Sequence, residues 1–538
     1  MENKPNILLI LNDDMGFSDI GCYGAEIETP NLDRLASNGL RFSQFYNSPR
    51  CSPSRASLLT GLHPHQTGIG ILTYPTGPEG YAGNLNNRCV TIAEALKPSG
   101  YRCYMSGKWH VASSLTEPSE AWPLQRGFDE FYGTIIGAGS FYNPNTLTRG
   151  NDNIEHEAIE DKDFFYTDAI SDQAARYIRE HESGFSDSPF FQYVAYTAPH
   201  WPLHAHQEDI DKYKGRFDAG WDRLREERLQ RLVDMGLIDP AWKLTGRDPS
   251  QPKWEDADNK AWRLRCMEVY AAQVDRMDQG IGRILTALEE TGRLDNTLII
   301  FLSDNGACAE DIPADVVMEE LVNDLMIARS HTRDGDEVIL GTIPEIMPGP
   351  ENTYQSYGVA WANMSNSPFR LYKHLTHEGG VSTPVICHWP DGISDSGGVR
   401  HTPCQLPDIM ATFVEITHAE YPETHDGNPI LPLEGHSLVS VFANDDLPER
   451  PLFWEHEGNA AVRLGHWKLV KEYPGEWELY DMREDRTETN DLASRHPDVV
   501  EDLGRQYEVW AERCGVISRA KILEMMRELP GKAFWEDE

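Results

Sequence analysis

Continuously apolar runs of strand length alternate with segments of helical period along most of the chain. Residues 6–11, 101–105, 190–196 and 297–302 read as strands covered on both faces, the pattern of a parallel sheet. Between them, Leu32, Leu35 and Ala36 follow the cap signal Thr29-Pro30, residues 92–96 and 163–178 read as helices, and Val269, Val274, Met277, Ile281, Ile284, Leu285 and Leu288 mark a longer amphipathic one. Strands alternating with helices predict right-handed βαβ units. The expected fold is α/β, a large, mixed but mostly parallel sheet sandwiched by helices, with residues 385–388 adding a further strand.

From about residue 445 the texture changes. Short, closely spaced strands at 452–455, 461–464, 467–471 and 477–480, then a helix from 498 to about 514, predict a smaller α+β unit on an antiparallel sheet. The expected division is 1–444 and 445–538. Two segments break the rhythm of the larger part. Residues 203–265, charged and containing Trp221, Trp242, Trp254 and Trp262, are expected as a largely helical insertion. Residues 307–368 are acidic and irregular, with one helix expected at 316–325, and long excursions of this kind often wall a pocket.

Composition narrows the function. With 48 basic and 87 acidic residues the formal charge of the 538-residue chain is −39, which argues against nucleic acid and anionic membrane surfaces as partners. The apolar runs are too short to span a bilayer. Nine cysteines without a Cys-x-x-Cys pair suggest reduced thiols rather than a zinc ribbon or disulfide scaffold. The first residues lead straight into a strand without the features of a signal peptide, so a cytoplasmic location is expected.

Four of the buried strands run directly into polar groups: Asp13 and Asp14, Lys108 and His110, His200, and Asp304 and Asn305. In a parallel sheet ligands bind outside the carboxyl ends of the strands, so these groups should converge. Asp13, Asp14, Asp304 and Asn305 are hard oxygen donors, a set suited to Ca2+ or Mg2+ rather than zinc, with calcium's flexible shell the better match. Between the first two strands lies a short helix signal at 51–61, with Ser52 as N-cap, Pro53 in the first turn, Leu58 and Leu59 on an apolar face and Gly61 past the end. Cys51 would then precede a helix N-terminus, with Arg55 one turn in. A thiol there should be acidified, and an anion should bind.

The string Cys51-Ser52-Pro53-Ser54-Arg55-Ala56-Ser57-Leu58-Leu59-Thr60-Gly61 resembles the signature of type I sulfatases of the alkaline phosphatase superfamily, in which the cysteine is oxidised to formylglycine. Gly107-Lys108-Trp109-His110, the stretch from Thr197 to Pro202 and the stretch from Tyr372 to Pro384 resemble that family's remaining active-site segments, in order, and the likeness extends to the cytoplasmic bacterial arylsulfatases. The resemblance implies hydrolysis of a small sulfate monoester, such as an aryl sulfate, through a formylglycine hydrate at Cys51 and a covalent sulfate hemiacetal. It implies one Ca2+ bound by Asp13, Asp14, Asp304, Asn305 and the modified Cys51, with Arg55, Lys108 and His110 holding the aldehyde hydrate and His200 and Lys373 facing the sulfate and its leaving oxygen. A formylglycine-generating maturation enzyme is the implied partner. The alternatives are a phosphonate or phosphate ester hydrolase of the same superfamily, in which a histidine commonly stands at the position of Asn305, and a non-catalytic anion-binding homologue, against which Cys51, Arg55, His110 and His200 together count. His63, His65, His374 and His377 lie near these motifs and read as structural or as supporting the site from behind its contact residues.

Overall fold

The computed structural model describes residues 4–74, 77–314, 318 and 320–527. Its central sheet is built on β1 (Asn6–Asn12), buried along its whole length. Ile7, Leu9 and Leu11 enter one apolar cluster, and Leu8 and Ile10 another. The period-two alternation of a strand thus fills a core on each face of the sheet, which is why the run is apolar throughout.

The remaining strands of this sheet are β2 (Leu40–Phe42), β3 (Arg102–Gly107), β4 (Glu130–Thr134), β5 (Leu147–Arg149), β6 (Asp152–Asn153), β7 (Phe190–Ala195), β8 (Thr297–Ser303), β9 (Val385–His388) and β10 (Gly398–Arg400). They lie in the order β10-β2-β9-β8-β1-β7-β3-β4-β5-β6. The neighbours β8, β1, β7 and β3 are parallel, with Leu11 opposite both Leu302 and Ala195, and Gly107 also opposite Ala195. Their carboxyl ends are therefore level. Antiparallel pairing of β9 with β8 and of β5 with β4 makes the sheet mixed.

Helices α1 (Pro30–Ser37), α3 (Tyr166–Phe185), α4 (Gly220–Asp234) and α5 (Lys260–Glu290) pack on the face of Leu8 and Ile10. On the other face lie α2 (Cys51–Thr60) and α6 (Pro407–Thr417). Two helix starts differ from expectation. The hydroxyl of Thr29 bonds the Asp33 side chain, and the backbone N–H groups of Asn31 and Leu32 are taken instead by Asp278 of α5, at 3.1 and 2.9 Å. Helix α5 itself begins at Lys260 rather than near Val269, absorbing the end of the 203–265 segment. That segment lacks a clean period because aromatic anchors hold it: Trp221 meets Trp254 edge-on at 4.7 Å and Trp361 at 5.3 Å between ring centroids.

The helix expected at 316–325 falls partly outside the described residues; its described part is one π-helical turn, Glu320–Asp324. Ile312, Leu321, Leu325, Val338, Leu340 and Tyr354 of the same excursion form a small apolar cluster with Trp201. The chain then builds an antiparallel meander of β11 (Leu452–His456), β12 (Asn459–Leu464), β13 (Trp467–Lys471) and β14 (Glu478–Asp481). Helix α7 (Pro497–Cys514) covers one face through Leu503, while Trp454 and Val470 on the other face meet Tyr46 and Val381 of the larger unit. Among the described residues, no helix is long and apolar enough to cross a membrane.

Candidate active site

The level ends of β8, β1, β7 and β3 deliver their polar residues to one place, and α2 points its first turn at them. Helix α2 opens two residues earlier than expected. Arg50, extended at φ −150°, is the N-cap, and Ser54 N–H donates the first helical bond to its carbonyl at 2.9 Å. Ser52 lies inside the helix with its hydroxyl unpartnered, so the expected capping by Ser52 does not occur. Pro53, lacking an N–H, costs nothing in the first turn, where that group has no helical partner. Gly61 ends the helix at φ 70°, as expected.

Cys51 is thus the first helical residue, 3% exposed, with Sγ 3.5 Å from His110 Nδ1. Its thiol is not acidified. Burial pushes it above its ordinary value, outweighing Lys108 and Lys373. One turn on, Arg55 is fully buried and places a guanidinium nitrogen 2.9 Å from Asp304 Oδ2 and 3.7 Å from Asp13 Oδ1. A second nitrogen donates to the Lys108 carbonyl at 3.2 Å.

The carboxylates and cations interleave. Lys108 Nζ donates to Asp13 Oδ2, Lys373 Nζ donates to Asp14 Oδ2 at 2.9 Å, and His200 Nε2 lies 3.2 Å from the same Asp14 oxygen. Asp14 takes φ 64° and His110 φ 53°, left-handed turns that break the alternation of a strand and let consecutive residues face one site. His200 Nδ1 lies 2.6 Å from the Trp201 carbonyl, so this nitrogen carries the proton and Nε2 is the one that faces the site. Burial, reinforced by Lys108 and Arg55, holds His110 well below its ordinary range, and burial also lowers His200 against the pull of Asp14.

Three buried acids and an amide meet here. Burial and the neighbouring Asp13 push Asp304 well above the ordinary carboxylate range. Asp13 and Asp14 stay below it because Lys108 and Lys373 respectively, each with His200, outweigh burial. Asn305 Nδ2 donates to Asp14 Oδ1 at 2.7 Å, while Asn305 Oδ1 and Asp13 Oδ1 are buried without a hydrogen-bond partner. Crowded oxygen donors that cannot all ionise together, two with orphaned oxygens, suit a hard divalent cation.

The sequence reading missed a second ring of groups. Glu310 Oε1 accepts from Arg50 at 2.8 Å and from His374 Nε2 at 2.8 Å, and its Oε2 from Lys373 Nζ at 3.1 Å and Trp201 Nε1 at 3.0 Å. Its carboxyl is held well below the ordinary range, Lys373 and Arg50 overcoming burial. His374, expected to be structural or to support the site from behind, takes the supporting place in this ring. Arg50 was detectable as the neighbour of Cys51; Glu310 stands in an irregular stretch that carries no motif.

The family described as Sulfatase matches residues 5–419, and one described as the C-terminal region of N-sulphoglucosamine sulphohydrolase matches residues 369–510. This chain belongs to the sulfatase family. It is 33% identical to an uncharacterized sulfatase of Schizosaccharomyces pombe over 96% of this chain and 95% of that one. It is 32% identical to an arylsulfatase of Klebsiella aerogenes, over 82% and 92%. Among solved structures, that of Ps i-CgsB shares 25% identity with a TM-score of 0.66, covering 95% of this chain and 93% of that one. As a member of this family the protein is a sulfuric ester hydrolase of the type I, alkaline phosphatase-like fold.

Proposed function

We propose that this sulfatase releases inorganic sulfate from a small sulfate monoester, using formylglycine formed from Cys51 and one Ca2+ held by Asp13, Asp14, Asp304, Asn305 and the modified Cys51. The observation that carries this reading is the placing of Cys51, at the first turn of α2 and within reach of Arg55, Lys108, His110 and the oxygen donors. Bound together, the cation and the aldehyde hydrate supply a hydroxyl nucleophile and neutralise the sulfate oxygens. The chain's own residues do the rest. Arg55, Lys108 and Lys373 orient the anion and offset the charge that builds on it. His200, its Nδ1–H fixed on the Trp201 carbonyl, must gain a second proton at Nε2, beside Asp14 Oδ2, to serve as the acid that protonates the leaving oxygen. His110, kept neutral by burial, takes a proton at the Cys51 position through Nδ1.

Cys51 is too buried for an enzyme to reach in the folded chain. Its proposed partner, a formylglycine-generating enzyme, therefore acts before folding is complete. Mass spectrometry of the Cys51 peptide from protein co-expressed with such an enzyme, beside sulfate release from an aryl sulfate, tests the reading. Aldehyde with release supports it; unconverted cysteine without release overturns it.

A further inference from the structure

Glu310 lies where a cation-lined anion pocket has no evident use for an acid. Lys373 divides its ammonium between Asp14 Oδ2 at 2.9 Å and Glu310 Oε2 at 3.1 Å, so Glu310 shares the substrate-facing lysine with Asp14. Arg50, the residue before Cys51, spends its guanidinium on Glu310 and on His374 Nδ1, at 2.8 and 3.0 Å. Because His374 Nδ1 accepts from Arg50, its Nε2 carries the proton that reaches Glu310 at 2.8 Å. With Trp201 Nε1 as a further donor, both oxygens serve only as acceptors, the pattern of an ionised carboxylate. Only 17% of the side chain is exposed, so this charge is poorly screened.

We propose that Glu310 sets the charge selectivity of the site, trimming its positive field so that a singly charged sulfate monoester is accepted over a phosphate monoester. The inference rests on the sulfatase reading above. A sulfate monoester carries one negative charge at neutral pH, a phosphate monoester close to two. One carboxylate beside Lys373 and Arg50 repels either anion, and repels the more charged one more. It also fixes Lys373, Arg50 and Trp201 relative to one another, which makes it a positioning residue that acts through the groups it holds.

The test uses the full matured chain as wild type, Glu310→Gln and Glu310→Asp, with p-nitrophenyl sulfate as substrate and phenyl phosphate as competitive inhibitor. The quantity read is the inhibition constant of phenyl phosphate divided by the KM of p-nitrophenyl sulfate, which is insensitive to the fraction of variant that folds. Glu310→Gln is expected to lower this ratio by about tenfold or more, and Glu310→Asp, which keeps the charge, by far less. A ratio unchanged within about twofold in Glu310→Gln, or an equal fall in both variants, overturns the inference. Should Glu310→Gln turn over too slowly, dissociation constants of phenyl phosphate and phenyl sulfate from the same proteins with Cys51 unconverted decide the same ratio. Wild type that releases no sulfate defeats the sulfatase reading; an unchanged ratio in an enzyme that does release it defeats this inference alone.

Discussion

A Cβ built on Gly137 would stand 2.2 Å from His110 Cε1 and 2.3 Å from its Nε2. The imidazole rests on that bare backbone, and its Nδ1 lies 3.5 Å from Cys51 Sγ. Any side chain at 137 must push the ring off line, although the rest of the fold can stay in place. Gly137→Ala is therefore expected to lower kcat by about a hundredfold, the scale of a misplacement near 1 Å, with a smaller change in KM. Gly184, with nothing near its Cβ position, supplies the control: Gly184→Ala should leave kcat unchanged. Equal rates for the two matured variants would show that His110 does not depend on this contact. The contrast with Cys51, Asp13 or Asp304 shows what a sequence makes visible. Those residues follow a buried strand or open a helix, so local pattern places them. Gly137 and Glu310 matter only through partners distant along the chain, and nothing in their own surroundings marks them.

At the scale of elements, the meander of β11 to β14 is tied to the loop carrying Lys373 by a buried ion network. Lys468 of β13 places Nζ 2.9 Å from Glu378 Oε1 and 2.8 Å from Glu488 Oε1, and Arg486 Nε donates to Glu378 Oε2 at 2.8 Å, with every one of these side chains fully buried. Lys468, Arg486 and Arg463 outweigh burial and hold Glu378 down to about 2. The four strands were readable from their spacing and alternation, but this network was not, because a lysine in a strand reads as a solvent-facing residue. Its burial follows from docking one sheet on the other unit, which no local period records. Removing one partner of such a network leaves uncompensated charge. Lys468→Met is expected to cost about 3–5 kcal/mol in urea unfolding, and adding Glu488→Gln should recover part of that loss. An unshifted unfolding midpoint in Lys468→Met would mean that the network is not buried in solution.

For the whole molecule, a formal charge of −39 suggests that mild acid should help the fold by relieving repulsion among surface carboxylates. Buried histidines oppose that effect. The ring of His204 is satisfied only when neutral: Nε2–H faces the Thr353 carbonyl at 2.7 Å, and Nδ1 accepts from Phe141 N–H at 3.4 Å. Protonating Nδ1 would set two donors face to face, and burial lowers this histidine from 6.5 to about 4. Burial likewise lowers His63 to about 4 and His456 to about 3. A folded-state value below the unfolded one means that the unfolded chain binds the extra proton first. The stabilisation is therefore complete above pH 6.5 and is lost as pH falls through about 4, amounting to about 3 kcal/mol for His204 alone. Surface carboxylates each contribute little and are screened by salt, so the histidines should win and stability should fall on acidification. Glutamine at 204 can offer the same donor and acceptor without titrating. Urea unfolding of wild type and His204→Gln between pH 7.5 and 4 should show the wild type losing stability faster, with the gap between the two narrowing as pH falls; a gap independent of pH would assign the acid sensitivity to other groups.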